Sequence, residues 1–221
     1  QGVHEGAVTD TRADNQAPPL AGYDLVAENR PLIEALRREG AEWYEETLLA
    51  LGEELGGEPL EWGRLANENP PRPRTHDRYG NRIDEVEFHP AWHALLQLGV
   101  ETGVHALSWR EQRDGAQVAR AAAFVALAQV EQGVGCPLSM THAAVPALRA
   151  SPELAAEWEP LLTSTVYEPE LVPAHEKQGA LCGMAMTERQ GGSDVRANET
   201  EARPAGDGEA LLRGHKWFCS A

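Results

Sequence analysis

The sequence contains no apolar run of about 18 residues, the length that a helix needs to cross a bilayer. Residues 1–14 are polar and lack the apolar core of a signal peptide. The absence of both features predicts a protein that is neither embedded in a membrane nor secreted. We therefore expect a cytoplasmic protein without a membrane partner.

Cysteine is also scarce, with residues only at Cys136, Cys182 and Cys219. They are odd in number and form no C-x-x-C pair, which excludes a disulfide scaffold and fits a reducing compartment. His89 and His93 have the spacing at which two imidazoles on one helix face can bind a metal. A proline between them places His89 at a helix cap, and no H-E-x-x-H glutamate follows. We therefore predict no metal site.

Basic residues are few: 19 Lys and Arg stand against 35 Asp and Glu, which gives a net charge of −16. Such an excess of acids repels a phosphate backbone, so broad nucleic-acid binding by this chain is disfavoured. One arginine-rich segment, NENPPRPR at residues 67–74, could contact nucleic acid. The local excess of carboxylates favours a different interpretation, a solvated loop whose arginines pair with neighbouring acids.

What is present is an ordinary globular composition, 42% hydrophobic and 24% charged over 221 residues, so we expect one large or two small folded domains. Residues 1–30 have no periodicity and predict an irregular arm, either mobile or lying over a neighbour. Residues 31–177 predict an all-helical domain. The three prolines of residues 67–74 exclude helix or central strand there and indicate a stiff surface crossing.

The helices of this domain are predicted from apolar spacing and from Pro and Gly punctuation. Two short helices are expected at residues 31–40 and 41–51, and a third after His89. A mostly apolar, alanine-rich helix at residues 117–129 should lie at the centre of the bundle. Further helices are expected up to Leu148, bent or restarted at Pro146, and from Ser151 to Leu162.

From about Lys177 the pattern changes to short apolar runs, alternation and a GDGE turn signal, which predicts a β-meander of about three strands. Residues 178–221 are thus the beginning of a β-domain, and the fold class is α+β: a helical domain followed by the start of an antiparallel β-domain. A meander this small is marginal alone. We expect either that the chain is the N-terminal part of a larger polypeptide or that another element covers the sheet.

The informative motif is MAMTERQGGSD at residues 184–194, a predicted strand followed by paired glycines with hydroxyls on both sides. Paired glycines let backbone N–H groups approach a ligand, and Thr187 and Ser193 can donate hydrogen bonds, so a cofactor cradle fits. A β-turn in which Gly191 and Gly192 supply positive φ fits equally well. The residues themselves leave both alternatives open.

Several motifs together resemble one family. MTExxGGSDV, followed by G-x-K-x-F-x-S at residues 214–220, closely resembles the flavin-contacting middle domain of acyl-CoA dehydrogenases. RLAN-x-NPP at residues 64–71, FHPAWH at residues 88–93 and the Met140-Thr141 pair are similar to the alkylation-response (AidB-type) branch. The resemblance runs from about Leu32 to the last residue, and the combination is highly specific.

The resemblance implies FAD held between a middle β-domain and a C-terminal helical bundle, with that bundle lying beyond Ala221. In the family pattern the Thr187 hydroxyl bonds the flavin ring and Ser193 lies near the pyrophosphate. Phe218 stands where the family has a tryptophan against the ring, and Ser220 where it has a threonine that bonds flavin N5. The implied cofactor-binding residues are Met184, Ala185, Met186, Thr187, Glu188, Arg189, Gln190, Gly191, Gly192, Ser193, Phe218, Cys219 and Ser220.

The chemistry that the resemblance implies is oxidation of a fatty acyl-CoA, in which a glutamate base removes the α-proton and flavin accepts the hydride. That base belongs to the family's C-terminal bundle, and Glu188 matches a different, fixed position, so we predict no catalytic residue here. The resemblance also implies a homo-oligomer, a tetramer, and contact with double-stranded DNA through segments beyond Ala221. Two alternatives stay open: a DNA-associated stress protein using the flavin fold as a scaffold, and a non-catalytic helical interaction module.

Overall fold

The computed structural model describes residues 17–18 and 20–220 of the chain. Most of the predicted irregular arm therefore lies outside the described residues. Its last part belongs to the core: Leu25 and Val26 are fully buried. The Leu25 N–H donates to the Gly52 carbonyl at 3.2 Å, and Gly22 N–H donates to Gly56 O at the same distance. This end of the arm is thus packed against the chain's own helices.

The described residues form helices interrupted by one β-hairpin and followed by a second. The helices are α1 (Arg30–Arg38), α2 (Glu45–Leu55), α3 (Pro59–Glu68), α4 (Pro90–Glu101), α5 (Leu107–Arg110), α6 (Ala116–Ala128), α7 (Gly135–Leu148) and α8 (Pro152–Leu162). The strands are β1 (Arg72–His76), β2 (Arg82–Glu87), β3 (Glu201–Gly206) and β4 (Glu209–Arg213), and 3₁₀ turns occur at Glu42–Tyr44, Ala174–Glu176 and Val195–Ala197. This architecture confirms the α+β class; the domain boundary at residue 178 stays a prediction.

Most predicted helix boundaries are confirmed by their caps. Asn29 accepts from the Leu32 N–H at the start of α1, which contains Pro31 in its first turn and is followed by Gly40 at φ 75°. His89 caps α4 by accepting from the Ala91 N–H at 3.1 Å. The helix expected at residues 41–51 is shifted, because a 3₁₀ turn precedes α2 and α2 continues to Leu55.

The prediction that residues 31–177 are all helical is wrong, because β1 and β2 form an antiparallel hairpin within them. Pro73 lies inside β1 opposite Val86. A proline is tolerated because the sheet has two strands, so each strand has one side that needs no N–H donor. The turn is held by Asp77, which accepts from the Tyr79 and Asn81 N–H groups at 2.8 and 2.9 Å.

Arg64 and Arg74 pair with local acids, as predicted, although the segment enters a strand and is not a loop. Arg74 contacts Glu87 at 2.5 Å across the two strands. Arg64 on α3 contacts both Glu61 and Glu68 at 2.5 Å. These pairs are exposed and therefore contribute little to stability, but they occupy two guanidinium groups that a phosphate would need.

The core is built around α6, which packs against α1, α2, α5 and α7. Its buried face is alanine-rich: Ala119, Ala123 and Ala126 are completely buried. Small side chains let the neighbouring helix axes come close, and leucines from those helices fill the remaining space. The predicted central position of this helix is therefore confirmed.

The C-terminal part is less regular than the predicted meander. β3 and β4 form one hairpin with Asp207 and Gly208 at positive φ in its turn, as the GDGE signal predicts. The strand expected from the first short apolar run after Lys177 is present only as isolated bridges, which join Met184 to Ser220 and Glu188 to Lys216. Both hairpin strands are exposed along their length, since no third strand or helix covers them among the described residues.

No helix within residues 17–18 and 20–220 combines the length and the apolar character needed to span a bilayer.

His105 makes the fold sensitive to acid. Burial lowers the pKa of this histidine to about 4, and its Nε2 lies 3.0 Å from the Ser164 carbonyl. The unfolded chain takes up a proton near pH 6.5, so acidification through the window from pH 6.5 to 4 favours unfolding. We expect His105→Gln to reduce the loss of unfolding free energy between pH 7 and pH 5 by about 2 kcal/mol. Urea denaturation at both pH values measures it, and an unchanged pH dependence would exclude His105 as its source.

Candidate functional site

The two segments with the flavin-contacting pattern are brought together by backbone hydrogen bonds. Met184 and Ser220 exchange both bonds of an antiparallel pair, with N···O distances of 2.7 and 2.9 Å. Further along, the Trp217 N–H donates to the Thr187 carbonyl at 2.9 Å. Segments that are about 30 residues apart in sequence thus form one continuous surface. The pairing places predicted contacts from both segments side by side.

The paired glycines have different roles. Glu188 and Gly191 exchange backbone hydrogen bonds of 3.0 and 3.1 Å, which closes the turn. A Cβ added at Gly191 would lie 2.5 Å from Asn198 Oδ1 and 2.9 Å from Asp194 O, so a side chain does not fit. The expected turn is therefore present, but neither Gly191 nor Gly192 has positive φ, so that part of the turn alternative is wrong. Gly191 is needed for close approach of backbone instead.

Gly192 is exposed, and an added Cβ there would meet only the Thr187 methyl group, at 3.4 Å. The glycine therefore keeps the surface beside Thr187 open. Ser193 follows it and is also exposed, and Asp194 caps the next 3₁₀ turn by accepting from the Arg196 N–H at 3.2 Å. The cap fixes the exit of the chain from the turn, so Gly192 and Ser193 are held on its outer side.

Glu188 organises this region from within. Its side chain is 3% exposed and accepts hydrogen bonds from the Glu199 N–H at 2.7 Å and from the Thr200 N–H at 3.1 Å. The Thr200 hydroxyl donates to it as well, and the Lys216 ammonium lies 2.8 Å from Oε1. The hydrogen bond from Lys216, with those from Thr200 and Glu199, holds the pKa of Glu188 well below the usual carboxylate range.

A carboxylate with so low a pKa and no free lone pairs is unsuited to removing a proton from a substrate. Glu188 instead ties the strand-turn to Lys216 and to the start of β3. The residues that complete this network, Thr200, Lys216 and Asn198, were not among the predicted site residues. Asn198 Nδ2 donates to the Met186 carbonyl at 2.7 Å. Lys216 belongs to the G-x-K motif and could have been predicted from it, whereas no sequence motif includes Thr200 or Asn198.

The site exposes large apolar side chains close in sequence to hydroxyl groups. Met186, Trp217 and Phe218 are 49%, 56% and 65% exposed, which is unusual for such large apolar side chains. Thr187 is half-buried, and Ser220 is exposed. Of the remaining predicted contacts, Met184 is half-buried and Ala185, Arg189, Gln190 and Cys219 are exposed, Cys219 as a free thiol. A flat heteroaromatic ring system fits an apolar surface bordered by donors.

The site is anchored to the helical domain through Thr141. This residue is completely buried, and its hydroxyl oxygen accepts from the Cys182 N–H at 3.0 Å. The Ala180 N–H donates to the Leu161 carbonyl at 3.1 Å. The threonine of the Met140-Thr141 pair therefore fixes the start of the flavin-contacting segment against α7 and α8. The sequence motif thus has a structural explanation.

His89 and His93, the two histidines considered as metal ligands, have separate structural roles. His89 Nδ1 caps α4, and His93 Nδ1 lies 2.7 Å from the Tyr167 hydroxyl. Within the described part of the chain, no group of three or more His, Cys, Asp or Glu residues is arranged to hold a metal ion.

Comparison with known proteins decides the family. Residues 15–169 match the family described as Adaptive response protein AidB N-terminal domain. The chain is also 48% identical over 209 residues to the putative acyl-CoA dehydrogenase AidB of Escherichia coli strain K12, covering 93% of this chain and 39% of that protein. This chain belongs to the AidB-type acyl-CoA dehydrogenases.

Two solved structures share the fold of this chain. The apo form of Bd2924 superposes with a TM-score of 0.74 at 27% identity, over 93% of this chain and 42% of that one. Caenorhabditis elegans ACDH-11, solved in complex with C11-CoA, gives a TM-score of 0.72 at 25% identity, over 94% of this chain and 36% of that one. The chain thus spans less than half the length of these proteins and of the AidB relative.

Proposed function

We propose that this chain supplies the helical domain and one flavin-binding face of an FAD-dependent, acyl-CoA dehydrogenase-like oxidoreductase of the alkylation-response type. The supporting observation is the backbone pairing of Met184 with Ser220, together with the Trp217 to Thr187 hydrogen bond. This pairing unites the two segments of the family's flavin motif into one surface that is apolar and bordered by hydroxyls. Membership of the AidB-type family adds the expectation of FAD as the cofactor.

The residue types at this surface are suited to binding a flavin ring. The Thr187 and Ser220 hydroxyls would donate to polar atoms of the ring, Phe218 would lie against its apolar part, and Ser193 would lie near the pyrophosphate. Flavin supplies the hydride-accepting chemistry when bound. The contribution of this chain is binding, orientation and exclusion of water.

We further propose that the catalytic base and any DNA contacts belong to other parts of the complete protein. The substrate is an acyl-CoA, in keeping with the C11-CoA complex of ACDH-11, and the base that removes its α-proton lies beyond Ala221. The 221 residues alone are therefore inactive. The complete protein is a cytoplasmic homo-oligomer, a tetramer. Any contact with double-stranded DNA is made by segments beyond Ala221, since this part carries a net charge of −16.

The test of the flavin-binding proposal is Gly192→Val in the full-length protein. The added side chain meets only the Thr187 methyl group within the chain, at 3.4 Å from its Cβ, so the fold should tolerate it. The branched side chain would occupy the space beside Thr187 that the flavin ring needs. We expect the purified variant to lose its yellow colour while its far-ultraviolet circular dichroism stays unchanged. The measurement is the ratio of absorbance at about 450 nm to that at 280 nm.

Ala202→Val is a suitable control, since it adds a branched side chain to an exposed position of β3 outside the motif. This variant should keep its full flavin content. Undiminished flavin in Gly192→Val would show that the ring does not bind at this turn. A colourless unmodified protein would instead remove the flavoprotein proposal and favour a helical interaction module.

A further inference from the structure

A cavity lies away from the flavin motif. It has a volume of about 710 Å³, is partly open to solvent, and is bordered by β2, α4, His105 and the irregular segment at residues 164–181. None of the predicted flavin contacts lines it. This volume suffices for a small organic molecule, and the lining combines aromatic and acidic residues.

One wall is aromatic and uncharged. The Phe88 ring stacks on Trp92 with centroids 3.9 Å apart, and the Tyr167 hydroxyl lies 2.7 Å from His93 Nδ1. Burial lowers the pKa of His93, and burial together with Glu170 raises the pKa of Tyr167 to about 12. Both groups are therefore neutral at pH 7 and share one hydrogen bond. Phe88, Trp92 and Tyr167 are each partly exposed.

The rim of the cavity is strongly acidic. The charged residues that line it are five carboxylates, Asp84, Glu85, Glu87, Glu168 and Glu170, and one ammonium, that of Lys177. Arginines pair with Asp84 and Glu87, whereas Glu85 and Glu170 have no ion pair with any described residue. Lys177 donates to the Glu168 backbone carbonyl at 3.0 Å. A concave surface with this imbalance concentrates negative potential.

A buried hydrogen-bond acceptor borders the same cavity. His105 is 1% exposed, and its Nε2–H donates to the Ser164 carbonyl at 3.0 Å. With that proton on Nε2, Nδ1 is a lone-pair acceptor, and it has no hydrogen-bond partner among the described residues. A buried acceptor without a donor costs free energy.

We propose that this cavity binds an organic cation with an aromatic or apolar body, such as an arylalkylammonium. An aromatic face attracts a cation, carboxylates at the rim attract it from solution, and the apolar residues accept its body. An anionic acyl chain or phosphate would be repelled by the same rim. The proposal rests on this cavity alone and is independent of flavin binding.

The test uses three soluble probes with one aromatic body: 2-phenylethylammonium, 2-phenylethanol and phenylacetate. Binding to the full-length protein is measured by isothermal titration calorimetry at low salt. We expect the ammonium to bind about tenfold more tightly than the alcohol, with no measurable binding of the carboxylate. The affinity for the ammonium should fall as salt is added, because the rim carboxylates are exposed.

Paired variants locate the binding. The double variant Glu85→Gln/Glu170→Gln should weaken binding of the ammonium about fivefold. The control Glu153→Gln/Glu209→Gln removes two exposed carboxylates elsewhere and should leave the affinity unchanged. Equal affinities for the ammonium and the alcohol, a preference for phenylacetate, or full affinity in the first variant would each overturn the proposal. Absence of binding by every probe, as when another part of the full-length protein fills the cavity, would overturn it as well.

Discussion

Replacing Gly115 by alanine is expected to lower the free energy of unfolding by about 3 kcal/mol. Gly115 precedes α6, the central helix, and has φ 78°, a conformation that costs an alanine about 1 to 2 kcal/mol. An added Cβ would also lie 2.4 Å from the Gly40 carbonyl oxygen and 2.8 Å from the Ala41 Cα. Both neighbours are backbone atoms, so the segment between α1 and α2 would have to move. Urea denaturation measures the change.

Gly40 is the matched control for this prediction. It lies directly opposite Gly115 and has a similar φ of 75°, but an added Cβ there would meet nothing within 4 Å. Gly40→Ala should therefore show only the conformational cost, about 1 kcal/mol. If both variants were destabilised equally, close backbone approach would not be the reason that glycine is needed at position 115.

Much of the helical architecture could be predicted because its signals are local. Pro31 and Gly40 mark the ends of α1, and the alanine-rich pattern of α6 indicates a helix with neighbours on several sides. The hairpin of β1 and β2 was not predicted: its prolines exclude a helix or a central strand, and the predicted surface crossing left out the edge strand that tolerates them. The Asp77-to-Gly80 turn, between two polar runs, was the signal that could have found it.

The candidate site, too, could be predicted from the sequence only in part. Its two segments were predicted through the family resemblance, and their pairing is explained by the Met184 and Ser220 hydrogen bonds. The reason for Gly191 could not be found locally, because the atom that excludes a side chain belongs to Asn198. Likewise, the partners of Glu188 lie 11 to 28 residues further along the chain, at Glu199, Thr200 and Lys216. Such contacts are set by tertiary structure alone.

Replacing Glu188 by glutamine is expected to loosen the flavin-contacting face while the helical domain stays folded. The amide would turn one acceptor oxygen into a donor that faces the backbone N–H of either Glu199 or Thr200, and it would leave the Lys216 ammonium without a counter-charge. Hydrogen exchange at the Glu199 and Thr200 amides should become about tenfold faster. Amides of α6 should keep their protection, and the full-length variant should lose flavin.

The pH dependence separates this network from ordinary surface carboxylates. Since the folded pKa of Glu188 lies well below its unfolded value, its contribution is complete above about pH 4.3 and is lost only as the pH falls through the lower folded value. Protection of the Thr200 amide in the unmodified protein should therefore change little between pH 7 and pH 5, apart from the intrinsic rate. Glu209→Gln, an exposed change on β4, is the control and should alter neither protection nor flavin content. Rapid exchange at Thr200 in that control, or normal protection in Glu188→Gln, would show that the buried carboxylate does not hold this face together.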